Sequence, residues 1–176
     1  MINFFPVICT TQFGPCPPQY TSVRKMSVFP EIKTVSVTYR FPLTRHLTVQ
    51  LRTPLGTIGT PDQDTVWLTD DKGVIYSQTN NLSLPLLVLN REFKLSDQLT
   101  EPEIQAQKIL SSASHLSSSR LVGQLTGSDV MFDLNTTQVL MKAPSASLQE
   151  LIARSRIDGK LPRKIDLRFS RPIVTY

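Results

Sequence analysis

The chain is short of the residues on which most catalytic and metal chemistry depends. Its 176 residues include two cysteines, two histidines and one tryptophan, and aromatic residues make up only 7%. His46 and His115 lie far apart in sequence, and Cys9 and Cys16 alone are too few ligands for a metal centre. No G-x-S-x-G, H-E-x-x-H, Walker A or G-x-G-x-x-G pattern occurs, which removes the commonest hydrolase, metalloprotease and nucleotide-binding readings. Long apolar runs are also missing: none approaches the roughly 20 residues needed to cross a bilayer. The opening Met1–Cys9 is apolar but short, has no basic start and contains Pro6, so it does not read as a signal peptide. Two settings stay open, a soluble cytoplasmic protein or a chain whose membrane anchor lies upstream of this start.

What is present suits a folded protein. The chain is 40% hydrophobic and 19% charged, enough to bury a core as one domain or two small ones. Thirteen prolines favour short elements joined by many turns. The formal charge is +5, and the basic residues are spread out except where Arg154, Arg156, Lys160, Arg163, Lys164, Arg168 and Arg171 crowd together. A basic balance fits nucleic acid, an anionic membrane surface or simply a basic fold, and charge alone does not choose. Cys9 and Cys16 flank a Pro-rich turn and would close a small disulfide loop in an oxidising compartment; otherwise they stay free.

Periodicity predicts an α+β chain. A strand is expected near Val7–Thr10 and a short helix near Thr21–Met26. Val35, Val37 and Tyr39 alternate with polar residues, as do Leu47, Val49 and Leu51, which predicts a hairpin. A second hairpin is expected around Asp70-Asp71-Lys72-Gly73, where glycine supplies the turn's positive φ. Thr100, Pro102 and Glu103 form a capping-box start for a helix with Ala106, Ile109, Leu110, Ala113 and Leu116 on one face. Strands follow at Leu121–Thr126, Val130–Leu134 and Val139–Lys142. A second helix is expected from Ser147 with Glu150 as its box partner, closed by Gly159 and Pro162. A strand alternating Ile165, Leu167 and Phe169 and an extended Pro172–Tyr176 end the chain. The helices are too few and too unevenly placed to suggest regular βαβ units.

Individual candidates for chemistry weigh little. Ser22-Val23-Arg24-Lys25 matches the S-x-x-K pattern of penicillin-recognising enzymes, but the S-D-N and K-T-G companions are missing. Asp70 and Asp71 read as a solvated turn, Trp67 as a core residue, and both histidines as surface residues. The chain is therefore expected to be no enzyme, with no cofactor and no metal.

Several segments taken in order resemble the FtsQ/DivIB cell-division family. Phe29-Pro30-Glu31-Ile32 followed by Val35–Pro42 is similar to the family's Pro-containing entry, strand and P-x-x-L turn. Leu47-Thr48-Val49-Gln50-Leu51-Arg52-Thr53-Pro54-Leu55 is similar to the strand that ends its POTRA (polypeptide-transport-associated) domain. Trp67–Tyr76 resembles its W-L-V-D-x-x-G-V-V-F hairpin, Leu84-Pro85-Leu86-Leu87 its L-P-x-L, and Lys164–Phe169 its V-D-L-R-Y/F strand. The match spans about residues 29–174, with room for one helix before Phe29 where a full POTRA unit has two. The resemblance implies a POTRA-like unit over 1–58, divergent or truncated, and an FtsQ-type, mostly antiparallel β domain with two helices over 59–176.

It further implies a non-catalytic divisome scaffold on the extracytoplasmic side of the cell membrane, anchored through an upstream helix missing from this chain. Such a scaffold binds FtsB/FtsL-like partners and supports septal peptidoglycan synthesis. The partner peptide is then expected at Arg168, Phe169, Ser170, Ile173 and Val174, since a terminal strand can accept another through main-chain hydrogen bonds. Edge strands also end sheets quietly, blunted by charge or proline, a role open to Arg171 and Pro172. Two alternatives stand: a POTRA-like adaptor in protein translocation or outer-membrane assembly, and a basic nucleic-acid-binding module. The latter has no RNP-like aromatic motif or zinc-finger spacing behind it, so no nucleic acid is expected.

Overall fold

The computed structural model describes residues 8–10, 29–40, 44–61, 65–80 and 83–176. The helix expected at Thr21–Met26, the Ser22–Lys25 pattern and Cys16 lie outside them, and with Cys16 the Cys9–Cys16 pairing. The chain forms two units that divide between Arg52 and Thr53. This is earlier than the expected boundary after residue 58, because Gly56–Gly59 is a strand of the second unit's sheet.

In the first unit, period-two alternation builds an antiparallel sheet of β1 (Ile8–Thr10), β2 (Ile32–Arg40) and β3 (Thr44–Leu51), in the order β1-β3-β2. Val35 faces Val49 and Val37 faces Leu47 on the half-buried side, while Thr34, Ser36, Thr48 and Gln50 are exposed on the other. Arg52 fastens the end of β3 back to the start of β2. Its N–H donates to the Glu31 carbonyl at 2.8 Å and its Nε–H to the Pro30 carbonyl at 2.7 Å.

The second unit contains β4 (Gly56–Gly59), β5 (Val66–Thr69), β6 (Ile75–Thr79), β7 (Leu86–Val88), α1 (Glu101–Ala113), β8 (Val122–Thr126), β9 (Asp129–Leu134), β10 (Thr137–Met141), α2 (Ala146–Ile157), β11 (Lys164–Asp166) and β12 (Ile173–Thr175). Its strands form one nine-stranded sheet in the order β12-β11-β10-β9-β8-β7-β4-β5-β6. Most neighbours are antiparallel, so the fold is α+β with two helices. Three pairs are parallel: β4 with β7, β7 with β8, and β10 with β11.

Two of those pairs are single βαβ units inside a mostly antiparallel sheet. Parallel neighbours need a crossover of a dozen or more residues, and α1 and α2 supply it between β7 and β8 and between β10 and β11. Such crossovers are right-handed, and both step the same way along the sheet, so both helices lie on one face. A single row of cross-strand neighbours points at them: Trp67, Ile58, Leu87, Gly123, Phe132, Val139, Ile165 and Val174. Ile58, Leu87, Val139 and Ile165 in that row are wholly buried and join Ile104, Ile109 and Leu110 of α1 in the core. Gly123 is a glycine because a Cβ there would meet Leu110 Cδ2 at 2.7 Å, so its small size lets α1 close on the sheet.

Each local start has an identifiable cause. The Thr100 N–H donates to the Glu103 carboxylate at 2.7 Å, and Arg91 holds the same carboxylate at 3.0 and 2.9 Å. Burial pushes Glu103 up, but the hydrogen bonds from Arg91 and Thr100 outweigh it and hold its carboxyl below the usual range. At α2 the cap is Ser145, not the expected Ser147. Ser145 has the extended backbone that an N-cap requires and accepts the Ser147 N–H at 3.3 Å, while Ser147 is already helical.

Strand β4 was not expected from sequence. Gly-Thr-Ile-Gly has no alternation to reveal it, because every residue of the strand is buried. A polar staple crosses it: Gln107 Nε2 donates to the Thr57 carbonyl at 2.7 Å, and Arg120 donates to Thr57 Oγ1 at 2.7 Å and to the Leu84 carbonyl at 2.8 Å.

Candidate strand-docking site

The two ends of the nine-stranded sheet differ. At β6, the chain's own segment after β7 reaches the edge. The Ile75 N–H donates to the Asp97 carbonyl at 2.9 Å, Ser96 donates to the Ile75 carbonyl at 2.8 Å, and Val74 bridges Gln98. At the other end, β12 pairs with β11 on one side, and among the described residues no strand pairs with it on the other. An edge of this kind presents main-chain donors and acceptors along one side.

The residues expected to bind a partner divide into two groups. Val174 sits beside Ile165 on the helix-facing side, half-buried, while Ile173 and Thr175 take the opposite face. Ile173 is 54% exposed and Phe169 57%, and Ser170 is exposed in the bend between β11 and β12. These four line the approach to β12 or the strand itself.

Arg168 is also bonded within the chain. Its Nη2 and Nε hold the two oxygens of Asp166 at 2.6 and 2.9 Å, and Nη1 reaches Asp129 Oδ2 at 3.3 Å on β9. Its backbone N–H donates to the same Asp166 carboxylate at 3.1 Å, and its guanidinium lies 5.6 Å from the centre of the Phe169 ring. The bonds from Arg168 hold the Asp166 carboxyl below its usual range despite burial, and they raise the Arg168 pKa in turn. Arg168 is a clamp that aims the bend into β12 and supports Phe169. The Asp166 pairing is local, two residues away, whereas the Asp129 contact forms only once β9 and β11 are brought into one sheet.

Several residues at this end were not singled out from the sequence. Ile157, Leu161 and Tyr176 are exposed apolar or aromatic side chains, at 85%, 53% and 62%. Leu161 precedes Pro162 and Arg163, which lead into β11, and the Arg163 N–H donates to the Thr175 carbonyl at 2.8 Å. Lys160, Arg163, Lys164 and Arg171 are exposed around the same edge. The basic crowding was visible in the sequence, but its arrangement about an open strand was not.

Other candidates offer less chemistry. Asp70 is not the solvated turn residue expected: it is 1% exposed and accepts the N–H groups of Lys72 and Val74 at 3.0 and 2.8 Å, closing the β5–β6 turn. A cleft of about 270 Å³ between α1 and α2 is lined by Ser112, His115, Leu116, Met141, Leu148 and Gln149, and Ser112 is already bonded to the Ile109 carbonyl. Among the described residues, no three of His, Cys, Asp and Glu cluster to hold a metal ion. No helix among them is long and apolar enough to cross a membrane. No protein-family model matches the chain, and no curated protein does either.

Proposed function

We propose that the protein is a non-catalytic scaffold that captures a partner by adding its strand to β12, in the manner of the FtsQ/DivIB family whose motifs it resembles. In that setting it works on the extracytoplasmic side of the cell membrane. It holds FtsB/FtsL-like proteins at the division site and supports septal peptidoglycan synthesis. The observation that carries the reading is that, among the described residues, no strand pairs with the outer side of β12 at the end of the nine-stranded sheet, while the chain meets its own β6 edge at Ile75. Main-chain pairing would supply affinity, and the side chains on alternate faces would supply selectivity.

The test is calorimetric titration of the folded chain with the extracytoplasmic segment of a cognate FtsB-like protein. Val174→Asp and Phe169→Ala are the informative variants, because Arg168 substitutions disturb the Asp166 clamp as well as any contact. Each should weaken binding by roughly tenfold or more if these residues anchor the contact. A folded wild-type chain that does not bind the segment removes the reading.

A further inference from the structure

Of the cations crowded near the C-terminus, some are neutralised within the chain and some are not. Arg168 is held by Asp166 and Asp129, and Arg154 lies 4.0 Å from Asp158. Among the described residues, Lys160, Arg163, Lys164 and Arg171 make no ion pair. Their placement follows the open edge. Lys164 is the cross-strand neighbour of Thr175, Arg163 bonds to the Thr175 carbonyl, Arg171 stands just before β12, and Lys160 lies in the segment leading to β11. Asp166 and Asp129 direct their hydrogen bonds to Arg168, and neither lies within ion-pair distance of these four cations.

At the centre of this rim the surface is apolar. Val174 ends the buried row that crosses the sheet, Ile173 is exposed on the opposite face of β12, and Phe169 and Tyr176 are exposed in the segments on either side of the strand. An apolar centre inside a charged rim is the anatomy of a binding interface. We infer that the β12 edge takes an acidic strand, with an apolar residue opposite Val174 and Asp or Glu on its flanks, from a partner other than a second copy of this chain. Pairing two copies through β12 would bring their unpaired cations together, and like charges juxtaposed across an interface are strongly unfavourable. An acidic strand satisfies the main-chain groups, covers the Val174 end of the core and neutralises the rim in one event. The inference rests on docking at β12 and adds the chemistry of what docks there.

The experiment is selection from a random displayed peptide library on the full folded chain, with enriched peptides mapped by amide resonance shifts. The comparison protein carries Arg163→Glu, Lys164→Glu and Arg171→Glu. Enriched peptides are expected to be acidic around a short β-branched or aromatic centre and to shift the amides of Ile173–Tyr176. They should bind the charge-reversed protein roughly tenfold or more weakly, and weaken with rising salt. Neutral or basic peptides that shift the same amides would overturn the acidic inference while leaving strand docking intact. Peptides that map elsewhere, or no enrichment, would overturn both. Self-association in sedimentation that protects the β12 amides would assign the edge to a second copy instead. If the charge-reversed protein does not fold, the salt series on the wild type decides, and binding indifferent to salt overturns the inference.

Discussion

Ile165 and Val174 face each other across β11 and β12, and at Val174 the row of buried side chains that crosses the sheet stops half-covered. The row ends where strands run out rather than where apolar residues run out.

The clamp at Arg168 should control how firmly β12 is held. Arg168→Ala leaves the Asp166 carboxylate without its bidentate partner. Hydrogen–deuterium exchange is expected to show faster exchange at Ile173–Thr175 and little change at Val130–Leu134. Equal protection of β12 in variant and wild type would show that the clamp does not position the strand.

Acid should loosen the protein in a defined window. Asp166 and Glu103 both have carboxyls held below their ordinary range when folded. Their contribution is therefore complete above the unfolded values, about 3.9 for Asp and about 4.3 for Glu, and is lost as pH falls through the lower folded values. Urea denaturation at a series of pH values should show stability falling below about pH 4. In Asp166→Asn that slope should be shallower, and an unchanged slope would argue against its part in the effect.

The approach of α1 to the sheet depends on the bare backbone of Gly123. Gly123→Ala forces a methyl group against Leu110 and should cost about 1–3 kcal/mol in chemical denaturation. Adding Leu110→Ala to it should cost less than the two single substitutions summed, because the new methyl enters space that Leu110 vacates. Strict additivity would mean that the two residues do not share that space.

Capping of α2 distinguishes two neighbouring serines. Ser145→Ala should destabilise by about 1 kcal/mol, whereas Ser147→Ala, inside the first turn, should cost less. The reverse order would place the helix start two residues later.

The capping of α2 also shows what sequence can and cannot disclose. The helix was legible from Leu148, Leu151 and Ile152, yet the pattern Ser147–Glu150 imitated a capping box and displaced its start. The hairpins of β2–β3 and β5–β6 were legible because alternation and a positive-φ glycine at Gly73 act locally. Strand β4 was not, since burial on both sides erases alternation. The parallel pairings were hidden because they join segments separated by a helix or, for β4 and β7, by a hairpin. Phe169, Ile173 and Val174 were named from the order of motifs, and they lie in β12 or in the bend before it. The main partner of Arg168, Asp166, is two residues away, but its second contact, Asp129, is distant in sequence and nothing near Arg168 announces it.

The unequal ends of the sheet also bear on stoichiometry. A subunit open at both edges can pass a neighbour along without limit and grow into a filament. Here the chain meets its own β6 edge at Ile75 and leaves β12 for one incoming strand. If that contact keeps a second chain off β6, growth by strand addition stops after one step and complexes formed this way are one-to-one and finite.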